Sequence, residues 1–159
     1  MIYKSVYSSP VGYIEICADS QAVFSIKFDS SPSKEYTEND ISRLAAKELG
    51  EYFAGSLQGF TFPIKTEGTA FQEEVYSAVK RIPYGETRTY KQIAAEIGDD
   101  KAARAVGNAL NKNPVLIAIP CHRVIGLIKS SLFGYSAGEM IKEALLNFEK
   151  NQLSIKKSP

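Results

Sequence analysis

Between Gly59 and Gly68 this 159-residue chain changes the spacing of its apolar residues, and no other feature limits its fold as strongly. Before that point Tyr3 to Tyr7, Gly12 to Ala18 and Ala22 to Phe28 are short runs rich in Val, Ile, Tyr and Phe, separated by Ser-Ser-Pro and Asp-Ser. Three antiparallel strands are the economical reading. Ser30 to Thr37 is polar and contains Pro32, so it reads as a loop. Asn39 or Asp40 then caps a helix whose Ile41, Leu44, Ala45, Leu49, Tyr52 and Phe53 recur at helical spacing, and Gly55 ends it. The Gly59–Gly68 stretch, with Pro63, is the natural boundary between 1–62 and 63–152, and 153–159 is left as a polar tail.

Beyond the boundary the helix-start signals agree with one another. Thr69-Ala70-Phe71-Gln72, Thr89-Tyr90-Lys91-Gln92 and Ser136-Ala137-Gly138-Glu139 each have the capping-box spacing. The first predicts a helix from about Ala70 to Arg81, burying Phe71, Val75, Ala78 and Val79 and broken by Pro83-Tyr84-Gly85. A second helix, about Tyr90 to Ile97, stops at Gly98, and Asp99-Asp100 leads into a third from about Lys101 to Lys112. Two short helices around a tight turn are the signature of a helix-turn-helix, whose second helix enters a groove of DNA. Ala102, Ala103, Ala105, Gly107 and Ala109 make that second helix slim, which suits close approach to DNA or tight packing inside a protein equally well. A last helix, about Ser136 to Lys150, offers Met140, Ile141, Ala144, Leu145 and Phe148 as a core stripe.

Chemistry concentrates in Pro120-Cys121-His122-Arg123. Val115 to Ile119 is an apolar run heading into a core, and Pro120 stops it, so Cys121 is delivered to the rim of that core beside the only histidine and an arginine. Cationic and hydrogen-bonding neighbours favour a thiolate, which makes Cys121 a candidate nucleophile. A free cysteine is also often a small buried hydrophobe, and local chemistry alone does not separate the two.

Composition narrows the field. The first residues alternate without a long apolar segment, so neither a signal peptide nor a membrane span is expected, and the reading is cytoplasmic, or nuclear in a cell with a nucleus. Cys17 and Cys121 lie far apart in the chain, against a disulfide framework, and two Cys with one His are too few for a structural zinc. The net charge of +1 hides a net −3 over residues 1–60 and +5 over residues 76–129. Positive charge beside the candidate nucleophile suggests a polyanionic partner.

The order of helix-turn-helix, Asn113-Pro114, apolar strand, Pro120-Cys121-His122-Arg123, Gly134-Tyr135 and terminal helix resembles the O6-alkylguanine-DNA alkyltransferases. The resemblance is dense from Gly68 to Glu149, through Gly68-Thr69, Ile82-Pro83-Tyr84-Gly85-Glu86-Thr87 and Arg104-Ala105-Val106-Gly107. It implies an α+β fold: a small antiparallel sheet with a helix, then a mostly helical domain carrying the helix-turn-helix and the active site. It further implies double-stranded DNA containing O6-alkylguanine as partner and no cofactor; the ligands of the N-terminal structural zinc that some family members carry are absent, so no metal is expected, and a monomer is expected because no long apolar stripe is left uncommitted. Cys121 would accept the alkyl group, with His122, through a water, withdrawing the thiol proton and Glu149 orienting His122. Tyr90 would donate to the departing guanine, and Asn113 would hold the turn before the active-site loop. Arg104 would fill the space left by a flipped nucleotide. Ala103, Val124, Tyr135 and Ser136 would complete the DNA and guanine contacts.

The chain also departs from the family pattern. The stretch from Gly126 to Phe133 is about one residue longer than usual, and Ala137-Gly138-Glu139 replaces a small pair followed by an apolar or aromatic residue. Three other readings stand beside the alkyltransferase: a lesion-binding relative without transfer, a cysteine hydrolase and a helix-turn-helix regulator. Cys121 argues against the first, and a histidine immediately following the cysteine argues against the second.

Overall fold

The computed structural model describes residues 1–126 and 137–157. Two compact units emerge, one of residues 1–66 and 114–118, the other of residues 67–113 and 119–159.

In the first unit β1 (Tyr3–Ser9), β2 (Gly12–Ala18) and β3 (Val23–Phe28) form the expected antiparallel sheet in the order β1-β2-β3. The tight reversal between Ser9 and Gly12 holds Gly12 at φ +129°, a conformation that side-chain-bearing residues avoid. Ile14, Ile16 and Ala18 alternate along β2 and are fully buried with Ile26 of β3. Helix α1 (Asp40–Phe53) starts at Asn39, whose side chain caps Ser42 N, and buries Ala45, Leu49, Tyr52 and Phe53.

The apolar run at 115–119 is not a regular strand. Ile26 N donates to Pro114 O at 2.9 Å and Leu116 N to Ile26 O at 3.1 Å, but Ile117 then turns to φ +71° and ends the pairing. Apolar content alone could not reveal that turn, because a β-branched residue carries no sequence signal for a left-handed conformation.

The second unit is built from α2 (Ala70–Lys80), α3 (Tyr90–Glu96), α4 (Ala103–Asn111) and α5 (Glu139–Lys157), with a one-turn 3₁₀ helix at Cys121–Arg123. Both described capping boxes form: Thr69 caps Gln72 N and Thr89 caps Gln92 N, each reciprocated by the glutamine. The Ser136 box lies outside the described residues. Asp99 accepts from Lys101 N at 3.1 Å and its carbonyl from Ala102 N at 3.1 Å, so α4 begins two residues later than its apolar pattern suggests. Tyr76 donates to Ala109 O at 3.0 Å and ties α2 to α4. A parallel pair, β4 (Arg88–Thr89) with β5 (Val124–Ile125), is too short to leave a periodic trace in the sequence.

Three expectations about side chains and ends are corrected. Phe71 is half-buried. Met140 is 86% exposed, and the buried face of α5 runs instead through Lys142, Leu145 and Glu149. Helix α5 continues through Lys157, over residues read as a tail, because Leu153 packs against Gly85: a Cβ there would lie 2.1 Å from Leu153 Cδ1. Among the described residues no helix is long and apolar enough to cross a membrane.

Candidate active site

The site lies within the second unit, and its centre is the short 3₁₀ turn after Pro120. Cys121 N donates to Ile119 O at 2.7 Å and Arg123 N to Pro120 O at 2.9 Å, so three consecutive side chains leave one turn in different directions. All three are buried.

Asn113 fixes the entry to this turn. Its Nδ2 donates to Ile119 O at 2.9 Å and to Cys121 Sγ at 3.1 Å, using the two protons that an uncharged primary amide carries on one nitrogen. The distance to sulfur makes Asn113 more than a loop anchor, since a donor aimed at Sγ favours the thiolate.

Below the turn is a fully buried ionic cluster. Glu149 Oε2 lies 2.7 Å from His122 Nε2, while Arg123 Nε donates to Oε1 at 2.8 Å and Nη2 to Oε2 at 3.0 Å. Gly85 N adds a bond to Oε1 at 3.2 Å. Gly85 sits at φ +80° with Leu153 against its α-carbon, so the Pro83-Tyr84-Gly85 break is both a helix terminator and a wall of the cluster. The remaining Arg123 nitrogen donates to Ile82 O at 2.9 Å, and its guanidinium lies 5.5 Å from the centre of the Tyr84 ring. Burial alone would raise the Glu149 carboxyl, but the bond to His122 and the Arg123 pair outweigh it and hold Glu149 below the usual carboxylate range. Burial keeps His122 below its ordinary 6.5 in spite of the Glu149 bond, so the ring is neutral near pH 7 and remains a base.

The expected thiolate is not the resting form. Burial pushes the Cys121 thiol up to about 11, against the opposing pull of Asn113 and of the positive charge on Lys142. Arg123, which the sequence places beside the cysteine, spends its charge on Glu149 instead. The sulfur therefore holds its proton until a base removes it.

Lys142 is the group that the sequence reading missed. It is 1% exposed; its Nζ donates to Val124 O at 2.5 Å and lies 3.4 Å from Tyr90 Oη. Burial lowers this ammonium to about 8, while Cys121 acts to raise it. The only trace in the sequence is periodic: Lys142, Leu145 and Glu149 share one helical face, on which an apolar-only search sees a single residue.

The other expected residues divide by exposure. Tyr90 is half-buried at the start of α3, its ring against α4 where a Cβ on Gly107 would lie 3.7 Å away. Val124 is buried and Ala103 half-buried, whereas Arg104 and Asn108 are exposed on α4, as are Lys101 before the helix and Lys112 at its C-cap. Tyr135 and Ser136 lie outside the described residues.

A helix-turn-helix unit holding a buried cysteine, a neutral histidine and an ionised glutamate defines a DNA-binding protein with a cysteine nucleophile. Residues 2–66 match the family model described as 6-O-methylguanine DNA methyltransferase, ribonuclease-like domain, and residues 70–151 match that family's DNA binding domain. A methylated-DNA–protein-cysteine methyltransferase from Methanosarcina acetivorans is 44% identical over 154 residues, covering 93% of this chain and 98% of that protein. The constitutive enzyme of that name from Bacillus subtilis is 38% identical over 160 aligned positions, covering 94% and 96%. The crystal structure of the Mycobacterium tuberculosis O6-methylguanine methyltransferase matches with a TM-score of 0.84 at 36% identity, covering 99% of this chain and 100% of that one. That of the M. tuberculosis OGT in complex with DNA matches with a TM-score of 0.82 at 39% identity, covering 92% of each. The chain belongs to the O6-methylguanine DNA methyltransferase family.

Proposed function

We propose that this protein repairs DNA by direct reversal, taking an alkyl group from O6 of guanine, or O4 of thymine, onto Cys121 in one irreversible step. The observation that carries the reading is the buried Cys121 with Asn113 aimed at its sulfur and a neutral His122 backed by ionised Glu149.

The steps follow from those states. Nε2 of His122 faces Glu149, so Nδ1 is the nitrogen through which the ring takes the Cys121 proton, with a water as intermediary. Proton arrival makes an imidazolium beside a carboxylate, a charge separation that the buried pair stabilises. The thiolate attacks the alkyl carbon as the carbon–O6 bond breaks, and the bonding electrons pass to the guanine ring. Tyr90 then gives its proton to that ring, leaving neutral guanine, and the proton held by the His122 imidazolium passes back through water to the tyrosinate, so that the thiol proton ends on the guanine. The new thioether has no leaving route, so each molecule acts once.

An alkylated base inside the stack is out of reach of a buried thiol, so the nucleotide is flipped and Arg104 enters the space it leaves. Arg104 on the exposed face of α4, with exposed Lys101 in the turn before the helix and exposed Lys112 at its C-cap, supports that placement through charge as well as position. Ala103 contributes close backbone approach to the DNA and Val124 a contact to the guanine, and Tyr135 and Ser136, outside the described residues, are assigned to guanine and DNA contacts by the resemblance. Residues 63–152 form the DNA-binding alkyltransferase domain in this reading, and 1–62 its supporting domain. The protein works as a monomer in the cytoplasm, or in the nucleus where there is one.

The test is an intact-mass measurement after mixing the protein with duplex DNA containing O6-methylguanine. Gain of one methyl group, absent in Cys121→Ala, is expected. Tight binding with unchanged mass would replace this reading with that of a lesion-binding protein.

A further inference from the structure

Arg43, Arg81, Arg88 and Arg123 are each paired with a carboxylate. Arg104, the remaining arginine of the chain, is in no ion pair among the described residues. It opens a stripe along α4, because Asn108 and Asn111 follow it at i+4 and i+7 and are exposed with it on one side of the helix. Among the described residues neither amide makes a hydrogen bond within the protein. Buried Asn113, two positions on, spends its amide on Ile119 O and Cys121 Sγ instead. Exposed Lys112 stands at the far end, so the stripe carries a cation at each end and two uncommitted, uncharged amides between them.

That division of side-chain types separates two tasks. A phosphate is held by a cation, whereas an amide carries one donor and one acceptor group, the pattern that a base edge presents. Asparagine is short, so its amide reaches a base edge only when the helix backbone lies deep in the groove. Ala103, Ala105 and Gly107 flank the stripe and leave nothing to hold the backbone away. With a rise of about 1.5 Å per residue, Asn108 and Asn111 lie about 6 Å and about 10 Å beyond Arg104 along the helix. Those lengths correspond to about two and three base steps of about 3.4 Å.

We propose that Asn108 and Asn111 read base edges within about three base pairs of the flipped nucleotide, so that the rate of alkyl transfer depends on the sequence flanking the lesion. This inference rests on the alkyl-transfer reading and on the place it gives Arg104. The amides follow Arg104 on the same face, so their contacts form as Arg104 enters the stack and favour the flipped complex. A flanking pair whose edge offers an acceptor and a donor to the amide is favoured, and one that sets donor against donor is not.

The test uses the intact protein as wild type, Asn108→Ala, Asn111→Ala, the double variant and Lys112→Ala. Alanine is a good helix former and both asparagines are exposed, so the fold is retained, checked by Tm. Single-turnover transfer is measured at limiting protein on O6-methylguanine duplexes that carry each base pair in turn at each flanking position. Binding of the same duplexes, at several salt concentrations, is measured with Cys121→Ala added to every variant, so that no alkyl group moves. Wild-type rates are expected to differ by about fivefold or more between the best and worst pair at one or more flanking positions. Each asparagine variant brings the fastest contexts down to the slowest at the position that its amide reads, and leaves the salt dependence of binding unchanged. Lys112→Ala slows every context alike and lowers the salt slope by about one. A wild-type spread below about twofold at every position overturns the proposal, and so does a spread that survives in the double variant. A salt slope that falls by about one for each asparagine removed also overturns it, because the amides are then phosphate contacts. If the wild type takes up no methyl group, the alkyl-transfer reading fails instead, and the binding measurements decide on the asparagines by the same criteria.

Discussion

Replacing Glu149 with glutamine isolates one charge at the centre of the site. The amide keeps the shape but puts an NH2 where an oxygen now accepts from His122 Nε2 at 2.7 Å and from Arg123 at 2.8 or 3.0 Å, so donor meets donor. Arg123 is left buried without a counter-charge. Removing one partner of a buried pair costs about 3–5 kcal/mol, and the Ile82 carbonyl and Tyr84 ring still hold Arg123, so we expect the lower end, about 3 kcal/mol. For a chain of this size that lowers Tm by roughly 6–12 °C. The acid limb changes as well. A carboxyl whose folded pKa is depressed binds protons more readily unfolded, so its stabilisation is complete above the ordinary 4.5 and is lost as pH falls toward the folded value. The variant therefore loses less stability than wild type below pH 4.5. His122, also depressed, contributes a separate decline that begins as pH falls through 6.5 and is carried by a different residue. Calorimetry from pH 7 to pH 3 reads both windows. A Tm lowered by less than about 2 °C, with the acid limb unchanged, would refute the argument that Glu149 is an ionised keystone.

Other perturbations test neighbouring parts. Gly85→Ala puts a methyl 2.1 Å from Leu153 Cδ1 at φ +80°, and urea unfolding is expected to show a loss of about 2–3 kcal/mol. Asn113→Ala removes the donors to Ile119 O and Cys121 Sγ, so Cys121 reacts more slowly with iodoacetamide at pH 8 while stability falls by about 1–3 kcal/mol. Arg104→Ala, on the exposed face of α4, lowers transfer from duplex DNA by about tenfold or more without moving Tm, and an equal rate would remove Arg104 from the flipping step. Reaction with methylated DNA adds volume at Cys121, a residue only 3% exposed, so the spent protein melts at lower temperature than the fresh one.

Some of this was legible from the chain alone because it rests on near-neighbour chemistry. Capping boxes at Thr69 and Thr89, three short strands and Pro120 before Cys121 each act over a few residues, so their consequences appear in order along the sequence. The association of Cys121, His122 and Glu149 needed more than local spacing and came from a many-part resemblance. Positions decided over long separations were not legible. Arg123 looked like a partner of the thiol next to it, yet the turn at Cys121–Arg123 sends it to Glu149 and to Ile82 O. Lys142 stood outside the apolar stripe and Met140 inside it, until α5 packed and fixed which face is inside.

The sequence by itself determined the change from strands to helices, the helix-turn-helix and the presence of a candidate nucleophile at a proline-stopped apolar run. Tertiary structure decided the protonation states. Burial sets Cys121 as a thiol and His122 as a neutral base and lowers the Lys142 ammonium, while His122 and Arg123 keep Glu149 ionised. The reason is physical: helix periods and caps depend on residues a few positions apart, whereas the cost of a charge depends on every atom that replaces water around it.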